Sequence, residues 1–142
     1  MALTREERAE FLAEPLIAAL SVDAGEKGRA PLSVPVWYEY EPGGEFWILT
    51  GRDSRKDQLI AKAGRFTLMM DRLEPTIRYV SVEGPVTGRE PATRDRLHAL
   101  AARYLPADKV DAYVDFAWDD HGEQVILRMR PERWLSSDLG RI

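Results

Sequence analysis

The sequence predicts a mainly β, α+β domain: an antiparallel barrel of six strands with helices at its periphery. Two observations carry that reading. Six short segments have strand character and are joined mostly by hairpins with few crossovers. Thr4, Ser54 and Thr93 each stand where a helix would begin, ahead of a short helical pattern. The 142 residues suffice for one core and fall short of two ordinary ones, so residues 1–142 are read as a single domain.

Taken in order, Thr4-Arg5-Glu6-Glu7 is a capping-box pattern, and Phe11 and Leu12 give the first helix an apolar edge before Glu14-Pro15. Leu16 to Val22 is a near-continuous apolar run, too short for a typical helix and read as a strand buried on both faces. After a turn over Asp23 to Gly28 the chain alternates. Leu32, Val34, Val36, Tyr38 and Tyr40 share one face, and Ser33, Pro35, Trp37, Glu39 and Glu41 share the other, which predicts one long strand. Pro35 lies in its middle and cannot donate to a ladder, so the segment belongs at an edge, a bulge or a break in pairing. A break would leave backbone groups for a planar heterocycle; an edge strand with no ligand explains the residue equally well.

Pro42-Gly43-Gly44 turns the chain into a strand from Phe46 to Leu49, and Gly64 ends the helix that begins at Ser54. Phe66 to Met70 and Ile77 to Val86 are two more strands around a turn at Asp71 to Pro75. Gly84-Pro85 marks a bulge or the close approach of another backbone. Leu97, Leu100, Ala101 and Tyr104 make one helical stripe, and Val110, Tyr113, Phe116 and Ala117 a second, predicting two helices packed on the sheet. Gln124 to Met129 is the last predicted strand, and Pro131 opens a tail containing Trp134 and Leu135.

The stretch from Phe46 to Ala63 holds the clearest chemistry. A strand, a polar turn and a helix start at Ser54 carry Arg55 and Lys56 in the first helical turn, with the hydroxyls of Thr50 and Ser54 beside them. The first N–H groups of a helix lack intrahelical partners and carry partial positive charge, so an anion placed there gains directed bonds and a favourable field. The same two cations also read as solvated surface charge. Composition narrows the field: there is no cysteine, hence no disulfide and no thiolate nucleophile or metal ligand. His98 and His121 are too few and too far apart for a metal centre, and Asp119-Asp120-His121 reads as a solvated turn, so no metal is expected. A net charge of −4 argues against a nucleic-acid partner, and no segment is long and apolar enough to make a membrane span. A charged start without an apolar signal core leads to the expectation of a cytoplasmic protein.

The residues LTGRDSRKDQLIAKAGRFTLMMD and IRYVSVEGPVTGRE, with this order of elements, resemble the pyridoxamine 5′-phosphate oxidase-like split β-barrel family over Leu16 to about Trp134. The resemblance implies a split barrel that binds FMN or the deazaflavin F420 in a homodimer whose interface forms part of each site. It assigns the cofactor phosphate to Arg55 and Lys56, with Thr50 as a further contact and Ser54 at the helix start. Val34 to Glu39, with Val34, Pro35, Val36 and Trp37 as the ring-binding candidates, match the segment lining the tricyclic ring, and Tyr79 occupies the place of an amide side chain near it. Val34 stands where the FMN oxidases of the family carry an arginine, and the ending RPERWLSSDLGRI lacks the extension that completes the vitamin B6 site. The short chain, the Pro-Val-Trp-Tyr segment and the W-L-S-S-D ending look more like the F420-dependent reductases.

The resemblance therefore implies hydride transfer from F420, with FMN as the alternative, to a small unsaturated substrate. A bound flavin or deazaflavin carries the hydride itself, so the chain need supply only binding, orientation and electrostatics. Trp37, Tyr38 or Trp134 would wall the pocket. Tyr38 and Tyr79 are candidate proton donors, each also readable as a hydrogen-bonded core tyrosine. Two other classes stay open: a non-catalytic carrier or sensor of flavin or haem, and a small dimeric binding module with an empty groove.

Overall fold

The computed structural model describes residues 2–120 and 122–141. In chain order the elements are α1 (Arg5–Leu12), β1 (Ala18–Val22), β2 (Leu32–Val36), β3 (Glu39–Tyr40), β4 (Phe46–Gly51), α2 (Arg55–Ala63), β5 (Arg65–Arg72), β6 (Arg78–Pro91), α3 (Arg94–Tyr104), α4 (Ala107–Asp120), β7 (Gln124–Met129) and β8 (Arg133–Asp138), followed by a 3-10 turn at Leu139–Arg141. Among the described residues, no helix is long and apolar enough to cross a membrane.

All the pairings are antiparallel, and β6 is the hub. The path runs β2-β1-β5-β6-β7-β4-β3, with β8 laid beside β6. The first half of β6 pairs with β5 and β8; past a bulge between Val86 and Gly88 its second half pairs with β7. A bulge lets one strand serve two differently directed parts of a sheet, and the sheet curls across it. Leu20, Leu68, Val80 and Val82 fill the inside of the curl with Phe46, Ile48, Leu127 and Met129, and α1 and α2 close it with Phe11, Leu12 and Ile60. The helical pair α3–α4 covers the other face of β4 and β7, where Trp47, Leu100 and Ile126 meet.

The helix starts follow local chemistry. Thr4 Oγ1 accepts the Glu7 N–H at 3.1 Å while Glu7 Oε1 accepts the Thr4 N–H at 2.9 Å, a full capping box. Thr93 caps α3, and Gly64 closes α2 at φ +74°, a left-handed conformation that costs glycine least.

Among the described residues the sheet has eight strands where six were expected. The long alternating strand is cut after Val36, because the Tyr38 backbone bonds side chains instead of a neighbour. Its N–H donates to Tyr104 Oη at 3.1 Å and its carbonyl accepts from Arg103 Nε at 3.0 Å. Pro35 lies on the edge strand β2, which pairs only with β1. The C-terminal segment forms β8, whose inward residues Ser136 and Asp138 are polar and therefore hid the strand pattern. Ser136 Oγ accepts the Leu3 N–H at 3.0 Å, and Asp138 is paired with Arg78 at 2.7 Å. β1 is buried on its inner face and half-buried on the outer, and Val114 takes the buried place expected of Phe116, which is 54% exposed.

Arg103 fastens the helical pair to the barrel. Its guanidinium donates to the carbonyls of Leu12, Ala13, Glu14 and Tyr38 at 2.8–3.0 Å, satisfying the C-terminal carbonyls that α1 leaves without partners. Tyr104 Oη adds a bond to the Leu16 carbonyl at 2.7 Å.

Candidate functional site

A cleft of about 460 Å³ opens where α2, β2, β4 and the helical pair meet. This is within the usual range for small-molecule sites. Pro35, Val36 and Trp37 form one wall and Leu49, Leu97 and Leu100 another, with Tyr113 and Gln124 between them and Lys56 at the α2 edge. Trp37 is fixed by its neighbours: its indole stacks on Tyr104 at 4.7 Å with the planes 7° apart, and Tyr113 leans on it at 5.4 Å. Ile17 and Pro35 also line a groove of about 360 Å³ that leads onto the outer face of β1, β2 and β5 past Ser33, Met69 and Asp71.

The start of α2 is shaped by the turn before it. Asp53 takes φ +60°, which Asp tolerates better than most residues, and delivers the chain into Ser54. Ser54 Oγ accepts the Asp57 N–H at 3.2 Å and lies 3.3 Å from the buried Thr50 hydroxyl. The Asp57 carboxylate does not return to Ser54 as a capping box would. It accepts the Asp53 N–H at 2.9 Å and pairs with Arg89 at 2.7 Å. Those bonds, Arg89 first, hold its pKa below the ordinary carboxylate value. With its own acid committed to Arg89, the helix start keeps its positive character for another anion.

The paired cations separate. Successive helical residues point about 100° apart, so Arg55 and Lys56 cannot share a direction: Arg55 is exposed and Lys56 is half-buried at the cleft. Burial pushes the Lys56 ammonium below the usual lysine pKa, and among the described residues no carboxylate lies in an ion pair with it. A half-desolvated cation facing an apolar cleft is suited to an anionic ligand.

The other expected site residues fall into three groups. Pro35, Val36 and Trp37 line the cleft, whereas Val34 packs on the barrel core and borders the groove. Thr50 and Ser54 bond to each other at the α2 start. Tyr79 lies on the outer face of β6, opposite Asp71 of the groove.

Two of the expected pocket walls lie elsewhere. Tyr38 is fully buried, donates its hydroxyl to the Leu12 carbonyl at 3.0 Å, and has its pKa raised by desolvation, so it neither walls the cleft nor can release a proton into it. Trp134 sits under Arg8 at 4.2 Å, among Tyr40 and Phe46 inside the barrel. Among the described residues no group of three or more potential metal ligands is present; His121 lies outside them, and His98 faces Asp111 at 3.3 Å on the helical surface.

Leu97, Leu100, Tyr113 and Gln124 were not foreseen as site residues. Tyr113 lies on the α4 stripe read as packing on the sheet, and it reaches the cleft from there.

No family model matches the chain, and no curated protein matches it. Solved structures do. An F420 reductase is 21% identical with a TM-score of 0.67, over 89% of this chain and 94% of that one. A FAD-binding protein from Mesorhizobium loti is 17% identical with a TM-score of 0.63, over 97% and 96%. A Clostridium acetobutylicum protein related to general stress protein 26, of the pyridoxinephosphate oxidase family, is 12% identical with a TM-score of 0.61, over 98% and 99%. The fold is the split β-barrel of the pyridoxamine 5′-phosphate oxidase-like proteins. The helix-covered cleft, with Lys56 and Trp37, and the groove on the outer sheet face, with Met69 and Asp71, share Ile17 and Pro35 as lining residues.

Proposed function

We propose that this split barrel is an oxidoreductase that binds F420, with FMN as the alternative, and passes hydride to a small unsaturated substrate. The observation that carries the reading is Lys56, a half-buried cation with no ion-pair partner among the described residues, at the edge of an apolar, aromatic-walled cleft. The likeness to an F420 reductase and to a FAD-binding protein supports a flavin-type ligand. When bound, such a cofactor supplies the hydride chemistry. The chain supplies the rest: Lys56 and the α2 N–H groups hold the anionic end, Trp37 and the leucines exclude water, and Tyr113 offers a hydroxyl to the cleft. Titrating the purified protein separately with FMN, F420 and haem tests this. A tight spectral response to F420 or FMN, then reduction of enones or quinones, is expected; a response to haem alone would overturn it.

Lys56 also sets the expected pH dependence. The unfolded chain binds this proton more tightly than the folded one, so the stability of the ligand-free protein should rise with pH between the lowered and the ordinary lysine pKa values. Anion binding has the opposite slope, because it needs the charged form. Cofactor affinity should fall as pH rises through the lowered Lys56 pKa, and Lys56→Arg, which stays charged, should flatten that profile.

A homodimer is part of the proposal. Met69 on β5 and Leu135 on β8, either side of Ser81 on β6, are 38% and 63% exposed on the outer face, and Ile17, 51% exposed just before β1, lines the groove with Met69. An apolar sheet face of this kind is suited to two-fold pairing. Sedimentation at micromolar concentration should give a dimer, and Leu135→Glu should shift it to monomer; a monomeric mass for the unaltered chain would count against the pairing.

A further inference from the structure

We propose that Gln124 is a specificity-determining residue of the cleft, recognising the hydroxylated chain that links the ring of the cofactor to its anionic end; the proposal rests on the cofactor reading above. Gln124 opens β7 and is in register with Gly51, three residues before the Ser54 cap. It therefore stands between the apolar walls formed by Leu49, Leu97 and Leu100 and the α2 start that carries Lys56. It also lines an adjoining cavity of about 570 Å³ bounded by Arg52 and Trp118, so its side chain forms part of the wall between the two.

Packing does not account for a carboxamide here. On the same face of β4 and β7 Trp47, Leu49 and Ile126 are apolar, and the other polar side chain there, Arg128, donates to Glu90 at 2.8 Å. The Gln124 Oε1 atom is buried and has no hydrogen-bond partner among the described residues. An unsatisfied buried polar atom destabilises a fold, and an apolar side chain of similar shape would avoid that cost. The group is thus held at a disadvantage to the empty protein, next to a ligand-sized space. Its terminal torsion is soft, so a half-turn presents either the oxygen or the NH2 to the cleft. With the anion at Lys56 and the ring against Trp37, the ligand segment facing Gln124 is the intervening polyol, whose hydroxyls both donate and accept. FMN and F420 share that chemistry.

The test is a cycle across protein and ligand. Unaltered protein, Gln124→Leu and Gln124→Met are titrated by fluorescence with whichever of FMN and F420 binds more tightly. They are then titrated with the same ring carrying a five-carbon phosphoalkyl chain in place of its polyol. Gln124→Leu should weaken the natural cofactor roughly five- to tenfold, as for one lost hydrogen bond. It should leave the polyol-free compound within about twofold, with the melting temperature unchanged or raised. An equal loss for both ligands, or no loss for the natural one, overturns the proposal while leaving the cofactor reading standing. If the unaltered protein binds neither FMN nor F420, the cofactor reading fails and takes the proposal with it. Gln124→Met, similar in length and flexible, must repeat the leucine result; a divergent result assigns the leucine effect to shape and also overturns the proposal.

Discussion

Replacing Lys56 by alanine should weaken cofactor binding tenfold to a hundredfold, whereas Arg55→Ala should change it by no more than about threefold. The asymmetry follows from position. Lys56 lies half-buried at the cleft, and its charge is partly desolvated there. A hydrogen bond from a charged donor to an anion is worth about 1.5–3 kcal/mol when one partner is removed, and tenfold corresponds to about 1.4 kcal/mol. Arg55 is exposed on the adjoining side of the helix, where a charge acts through solvent and is screened by salt. Equilibrium titration of both variants at one salt concentration checks this. Equal losses, or a larger one for Arg55→Ala, would mean that the anion sits outside the cleft.

Gly84→Ala should cost at least about 3 kcal/mol of folding stability, a large part of a typical domain's total. A methyl group built on Gly84 would lie 1.7 Å from the Arg130 carbonyl oxygen and 3.1 Å from Met129 Sδ. Nothing nearby can yield cheaply, because backbone faces backbone. Arg130 N–H donates to the Pro85 carbonyl at 3.1 Å and Glu132 N–H donates to the Glu83 carbonyl at 2.9 Å, clamping both sides of the contact. Overpacking at a fixed site costs about 1–3 kcal/mol and sometimes more, and here it falls on the strand that serves three partners. Gly88→Ala is the control: its methyl would approach no closer than 3.4 Å, to the flexible Arg128 side chain. Chemical denaturation of the two variants should differ by more than about 2 kcal/mol; similar midpoints would show that the β6 bend relaxes easily.

What was legible in the sequence was what neighbours along the chain decide. Thr4 with Glu7, Ser54 with Asp57 N–H and Thr93 with Arg96 N–H are bonds spanning three residues, so a pattern of residue types suffices to place them. The close approach at Gly84-Pro85 was legible too, since few other pressures place glycine there. The break after Val36 was not, because Tyr104 and Arg103 cause it from 66 and 65 residues away. Strand β8 was hidden by Ser136 and Asp138, inward polar residues satisfied by Leu3 and Arg78. The cleft shows the same division. Pro35 and Lys56 were marked by local pattern, and Trp37 by the family resemblance. Leu97, Tyr113 and Gln124 become site residues only when the helical pair folds across β4 and β7. That Arg55 and Lys56 point apart was implicit in helical geometry, and the location of the cleft shows which of them lines it.

The attachment of α3 by Arg103 and Tyr104 bears on how the cleft is entered. Seven side-chain bonds from these two residues tie the helix to the backbone at Leu12, Ala13, Glu14, Leu16 and Tyr38. The wall that Leu97 and Leu100 provide is thus a fixture of the scaffold, and no hinged door has to swing before a guest arrives. Stopped-flow loading should then be a single exponential whose observed rate climbs linearly with ligand concentration, without the plateau that a preceding isomerisation would impose.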